Sequence, residues 1–242
     1  MVIGRDGGEV VHVPDGFLDV PVSLGAAAIA AIGVGISVRG ARRDLDDRTV
    51  PLAGVLAAFI FAAQMVNFPV AAGTSGHLLG GALVSVLVGP YIGSLCLAVV
   101  LLNQLFFADG GITALGVNIT TMALVGVWLA YAVVLLLLKV LPRNRSSVVV
   151  AAAVGALVSV PAAAAAFTVF FALGGVADVP VGTVLTAMVS VHVLIGIGEA
   201  IITAVMVGSV TAVRPDLVYV YRGRAPELEI RDRSSVARPS SI

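Results

Sequence analysis

The chain has 242 residues, of which 59% are hydrophobic and 12% charged, and its mean hydropathy of +1.09 is far above what a water-soluble domain needs. Its formal net charge is zero, and six of its 14 basic residues fall from Arg214 onward, which leaves no basic face for nucleic acid. Cys96 is its only cysteine and Lys139, inside Leu138-Lys139-Val140, its only lysine, so a disulfide framework, a thiolate metal cluster and a phosphate-binding Gly-Lys-Ser/Thr loop are all excluded.

The first twenty residues lack the basic and then apolar pattern of a cleaved leader, so the N-terminus is expected to stay on the mature chain. Stretches long enough to cross a bilayer run from about Pro21 to Val38, Val50 to Val70, Val117 to Leu138, Val148 to Leu173 and Val181 to Val213. Residues 78–107 form a further apolar block, interrupted by Gly89-Pro90. A single straight helix of that length would measure about 45 Å, too long for a hydrocarbon core of about 30 Å, so two short helices are expected. In the first span, Ala26 and Ala30, then Ala27 and Ala31, lie four apart, a spacing that lets two helices approach closely within the chain or between subunits.

Loop charge gives an independent count. Four arginines lie between Arg39 and Arg48, three basic residues between Lys139 and Arg145, and six in the tail. Because Lys and Arg prefer the cytoplasmic side, all three segments should share it. They do so only if residues 78–107 cross twice. The expectation is therefore an all-α integral membrane protein of about seven transmembrane helices, N-terminus outside and C-terminus cytoplasmic. The external segments are then residues 1–20, 71–76, 108–116 and 174–180, with Arg5 as their only basic residue. The chain divides into an extension (1–10), a transmembrane domain (11–214) and a solvated, partly disordered cytoplasmic tail (215–242). A multi-pass protein of the plasma membrane, the inner membrane of a two-membrane cell, follows.

Sixty consecutive positions between Arg48 and Asp109 carry no formal charge and are broken only by His77. His77 follows the turn Gly73-Thr74-Ser75-Gly76 and is expected to open the third helix, while His12 lies in the external N-terminal segment. Two imidazoles at one end of a bundle suit a borderline metal such as Ni(II), Co(II), Cu(II) or Zn(II), although unconnected surface histidines would look the same. A histidine second from a free amino terminus offers three nitrogens: the amine, its own backbone amide and the ring. A valine codon can initiate bacterial translation, so Val11 is a candidate start, and translation from it would leave residues 1–10 out of the protein altogether. The Val11 amine, His12 and His77 would then make a planar four-nitrogen set of the kind Ni(II) or Cu(II) favours.

Several motifs in one order resemble a known family. They are His12-Val13-Pro14-Asp15-Gly16-Phe17-Leu18, Asn67-Phe68-Pro69-Val70 with Gly73-Thr74-Ser75-Gly76-His77-Leu78-Leu79-Gly80-Gly81, Phe107-Ala108-Asp109-Gly110-Gly111-Ile112-Thr113-Ala114-Leu115-Gly116 with Asn118, and His192-Val193-Leu194-Ile195-Gly196-Ile197-Gly198-Glu199-Ala200. From about Val11 to Tyr221 the chain is similar to the cobalt/nickel substrate-capture subunit of energy-coupling-factor ABC transporters. The resemblance implies Co(II) or Ni(II) as the transported substrate, bound by the N-terminal segment at His12 and by His77. It also implies a transmembrane coupling subunit, a pair of cytoplasmic ATPases and often a small auxiliary membrane subunit as partners. The capture subunit itself would not be an enzyme.

Other polar residues carry two readings each. Asn67 could orient a metal-bound imidazole, as could Ser75, or each could bond a helix end or turn. His192 and Glu199 lie seven apart on one face of the last span, and an intramembrane carboxylate is costly enough to be a functional candidate; structural pairing or contact with a coupling subunit is favoured over a metal relay. Asp109 belongs to a turn. Gln64, Asn103, Gln104 and Asn118 are expected to form interhelical hydrogen bonds. The rival readings are a rhomboid-like intramembrane serine protease, with Ser75 as nucleophile and His192 as base, and an ATPase-independent secondary carrier. The first lacks that family's Trp-Arg loop motif, since Leu129 follows Trp128; the second finds few intramembrane charges for ion coupling.

Overall fold

The computed structural model describes residues 13, 15–66, 68–71, 74–107 and 110–222. Helix α1 spans Val20–Asp44. The Asp19 side chain accepts the Val22 N–H at 2.9 Å and Pro21 lies in the first turn, two features that start a helix; Arg42 and Arg43 occupy its last turn, where the helix dipole favours cations. Ala26 and Ala30 are buried, and a methyl group on Gly116 would lie 2.5 Å from the Ala27 Cα. The small-residue spacing therefore serves packing within the chain.

Helix α2, Thr49–Gln64, ends six residues before the expected limit of its span at Val70. Helical backbone is disfavoured for a residue that precedes proline, and Pro69 follows closely. The chain instead forms a short antiparallel hairpin, β1 (Phe68–Ala71) with β2 (Thr74–Gly76), pairing Phe68 with Gly76 and Pro69 with Ser75. What the sequence suggested as a plain turn between helices is thus a two-stranded element in an otherwise helical fold.

The apolar block 78–107 is divided as its Gly-Pro pair predicts. Helix α3 (Gly81–Val88) and helix α4 (Pro90–Gln104) meet at Gly89, whose φ of 85° and ψ of 165° lie where only glycine is at ease. Helix α3 is about 12 Å long, a half-helix by membrane standards, and all eight of its residues are buried. Its backbone passes close to helix α5 (Leu115–Val140): a methyl on Gly81 would lie 3.2 Å from the Gly126 carbonyl carbon. Helix α5 widens to π-helical geometry over Ile119–Gly126. Helices α6 (Arg145–Gly174) and α7 (Val181–Val213) complete the bundle and pack against each other. Among the described residues α1, α5, α6, α7 and the segment Pro90–Phe107 are long and apolar enough to cross a membrane.

Hydrogen bonds and ion pairs collect the connections at two ends. At one end Asp19 N donates to the Gly174 carbonyl (2.7 Å), Val176 N to Phe17 (3.1 Å) and Gly111 N to Val13 (2.9 Å). At the other, the α1–α2 turn meets the segment after α7. Residues 215–222 correct the expectation of a solvated tail from Pro215 onward. Val218, Val220 and Tyr221 are buried, the Tyr219 hydroxyl donates to Asp44 (3.3 Å), and Arg48 pairs with Asp216 (3.1 Å). The apolar alternation Val218-Tyr219-Val220-Tyr221 was masked by the charges around it.

Candidate functional site

His77 is only 8% exposed and immediately follows β2. Its Nδ1 lies 2.8 Å from the Leu78 carbonyl. A ring that donates a proton there carries its basic lone pair on Nε2, the form in which an imidazole binds a metal. His77 does not open a helix, as the sequence suggested. Three further non-helical residues, 78–80, separate it from α3, and Gly80 ends them with a φ of 81°. A side chain at Gly80 would be strained by that φ and would also meet Ile60 at 2.9 Å.

Non-helical backbone inside an apolar bundle needs partners for its peptide groups. Here they come from distant side chains. Glu199 Oε2 accepts the Leu79 N–H at 2.7 Å and Oε1 accepts the Gly80 N–H at 3.1 Å. Gln64 Nε2 donates to the Leu79 carbonyl at 2.9 Å, and Gln104 Nε2 donates to Gln64 Oε1 at 2.8 Å. Gln64 and Gln104 have no exposed surface and Glu199 has 1%. Glu199 is the nineteenth of the 33 residues of α7, about 27 Å along its axis, so the carboxylate lies deep in the bundle. It faces the N-terminal, positive end of α3, where an anion is favoured.

The chain leading away from His12 is also anchored. Asp15 Oδ1 accepts both the Thr113 N–H and the Thr113 hydroxyl at 2.7 Å, and these bonds hold the Asp15 carboxyl below its ordinary pKa of 3.8. Phe17 stacks on Phe167 and packs against Phe171, with ring centroids 5.9 and 5.6 Å apart. The segment beginning at Val13 is thereby bound to the 110–114 loop and to the end of α6. Val11, His12, Asn67 and Asp109 lie outside the described residues, and Ser75 is placed only as the β2 residue opposite Pro69. Among the described residues no three His, Cys, Asp or Glu side chains converge.

The suggested His192–Glu199 pair does not form. His192 Nδ1 lies 2.7 Å from the Met188 carbonyl, one turn back on its own helix, while both Glu199 oxygens serve the Leu79–Gly80 backbone. Seven residues of helix separate their backbones by about 10 Å, too far for a direct bond without long side-chain reach. Cys96 is a buried core residue whose Sγ lies 3.5 Å from the Ala53 carbonyl. Asn103 bonds the Val99 carbonyl within its own helix rather than a neighbour. A cavity of about 520 Å³ opens beside α1, lined by Ala27, Ala31, Leu102, Ile112 and other apolar residues; it lacks the donor set of a metal site. Nothing in the described structure supports the protease reading.

Residues 12–217 match the family described as the cobalt uptake substrate-specific transmembrane region. A protein of Haloquadratum walsbyi named as a metal transport protein is 40% identical over 211 residues, 86% of this chain and 94% of that one. The fused nickel transport protein of Rhodobacter capsulatus is 33% identical over 236 residues, 91% of this chain and 68% of the relative. A crystal structure described as a transition metal transporter superposes with a TM-score of 0.77 at 28% identity, covering 89% of this chain and all of the other. The helices, the family match and the structural likeness agree: this chain is a multi-pass membrane protein and belongs to the cobalt uptake substrate-specific transmembrane family, the membrane component of cobalt and nickel uptake.

Proposed function

We propose that the chain captures a hydrated Co(II) or Ni(II) ion from outside the cell and presents it to an energy-coupling-factor machine for ATP-driven import. The observation that carries this reading is His77, a buried imidazole whose following backbone is fixed from two other helices. His12 supplies a second imidazole from the N-terminal segment, and Val11, as the first residue, supplies an amine. The anchoring of Val13 and residues 15–18 supports this, because it ties the chain just after His12 to the 110–114 loop and to the residues after α6. Asn67 and Ser75 orient these ligands. Nitrogen ligands must shed protons to bind, so affinity rises with pH.

The reading includes seven passes, with the His77 end outside and the basic 39–48, 139–145 and tail segments inside. Hand-over takes place through a transmembrane coupling subunit, with hydrolysis on a pair of ATPases. A small auxiliary membrane subunit completes the assembly; relatives named as fused transport proteins, one of which this chain matches over 68% of its length, are in keeping with it. The test is isothermal titration of purified protein with Ni(II) and Co(II). Wild type should bind and His77→Ala should lose binding while keeping its helix content; tight binding by His77→Ala would overturn the assignment. Mass spectrometry of the native N-terminus decides the amine ligand: residues 1–10 present in active protein would exclude it.

A further inference from the structure

We infer that Glu199, with Gln64 and Gln104 behind it, is the positioning residue of the capture site: a clamp that sets the His77 imidazole by holding the peptide groups immediately after it. The inference rests on His77 being a metal ligand. Its physical basis is the commitment of two buried polar side chains, Glu199 and Gln64, to one dipeptide, with a third, Gln104, bonded to Gln64. Leu79 has both its N–H and its carbonyl bonded, and Gly80 its N–H, by residues 15 to 120 positions away in sequence. With these groups held and Gly80 fixed at its positive φ, the backbone two residues from His77 has little freedom to move.

A packing role alone does not account for the arrangement. Among the described residues Gln104 Oε1 is buried without a hydrogen-bond partner, so the Gln64–Gln104 pair carries an unsatisfied acceptor that a leucine would not have. The carboxylate has an electrostatic task as well. The N-terminus of α3 directs positive dipole toward the 77–80 segment, the direction from which a dication is to be held. Glu199 turns both carboxyl oxygens to the two N–H groups at that end, which supports the segment without Glu199 becoming a ligand. A carboxylate on α7, 120 residues from Leu79 in sequence, thus shapes a nitrogen site that has no cluster of acidic side chains among the described residues.

The test compares wild type, Glu199→Gln and Gln104→Met as purified full chains, titrated with Ni(II) and followed by the ligand-field absorption of the bound ion. Glutamine can accept one of the two N–H bonds but sets an amide NH2 against the other. Loss of the outer support of a metal-bound histidine typically lowers affinity about 10- to 100-fold, and that range is expected for Glu199→Gln, with a smaller loss for Gln104→Met. At saturating Ni(II) the absorption bands of folded Glu199→Gln should also be displaced, which a residue needed only for folding would not cause. Wild-type affinity and spectrum in folded Glu199→Gln would overturn the inference. If that variant does not fold, wild-type affinity in Gln104→Met overturns it instead. Failure of the underlying reading looks different: wild type itself would bind no metal, or His77→Ala would bind as tightly.

Discussion

The two ends of the bundle are held by different physics. At the His77 end, buried side chains bond peptide groups: Glu199 and Gln64 grip residues 79 and 80, each through contacts that no neighbour duplicates. At the opposite end, residues 214–222 are fastened by apolar burial and by overlapping exposed contacts. Arg48 and Arg214 share Asp216, Arg222 reaches both Asp46 and Thr49, and the Arg222 guanidinium lies 5.6 Å from the Tyr219 ring centroid. The first arrangement concentrates cost in single residues and yields a fixed geometry. The second spreads it, so that one loss is absorbed. The proposed capture site gains from the former and an attachment of the chain end from the latter.

Glu199→Leu should break the contrast most severely. It leaves the Leu79 and Gly80 N–H groups buried without acceptors, at about 1 to 3 kcal/mol each, offset in part because a carboxylate no longer has to be desolvated. A net loss of about 2 to 4 kcal/mol is expected in thermal unfolding of detergent-solubilised protein. An unchanged midpoint would show that the clamp is dispensable for the fold.

Gly89→Ala is the strongest single lesion expected at the other end. Its backbone region costs a non-glycine residue about 1 to 3 kcal/mol. The added methyl would also stand 2.9 Å from the Tyr219 ring, whose hydroxyl, pushed up to about 12 by burial and then by the nearby Asp44 carboxylate, stays protonated and donates to Asp44. Limited proteolysis after Tyr221 should accelerate while Ni(II) affinity stays near wild type. Loss of affinity would mean that the two ends are coupled. Asp216→Asn should do less, because exposed ion pairs are weak and screened: a small drop in the unfolding midpoint at low salt that disappears at high salt.

The sequence made legible whatever depends on composition and on local chain geometry. Apolar length predicted the long helices, Gly89-Pro90 predicted the break, and loop charge grouped the α1–α2 turn with the tail. The interior polar partners Gln64 and Gln104 were also foreseeable, since an uncharged amide inside an apolar span has to find a bond. What stayed hidden depends on contacts across the fold. Leu78 to Gly81 reads as continuous with the helix that follows, and only the distant side chains Gln64 and Glu199, the latter 119 residues from Gly80, show why the chain stays non-helical there. The hairpin strands, four and three residues long, are too short to display alternation. His192 and Glu199 stand seven residues apart on α7, but a nearer carbonyl takes the imidazole and a pair of N–H groups takes the carboxylate.

The mildest expected effect lies at the His77 end and tests whether the N-terminal anchor belongs to the concentrated or the distributed kind. Asp15 is mostly exposed, and its carboxyl is held below 3.8 by the hydroxyl and then the N–H of Thr113. A carboxyl whose pKa is lowered in the folded state contributes stability above the ordinary carboxylate range and loses it as pH falls through the lowered value. Acidification below 3.8 should therefore loosen the 13–19 segment from the 110–114 loop before the bundle itself opens. Amide exchange at Thr113 reports this directly: its protection, corrected for the intrinsic pH dependence of exchange, should fall in that window, and in Asp15→Asn it should already be reduced at neutral pH. Since Gly111 N also bonds the Val13 carbonyl and Phe17 keeps its aromatic contacts, the segment should remain associated in the variant. Full release of the segment by this one substitution would place the anchor with the clamp, as a second site where a single side chain holds the geometry.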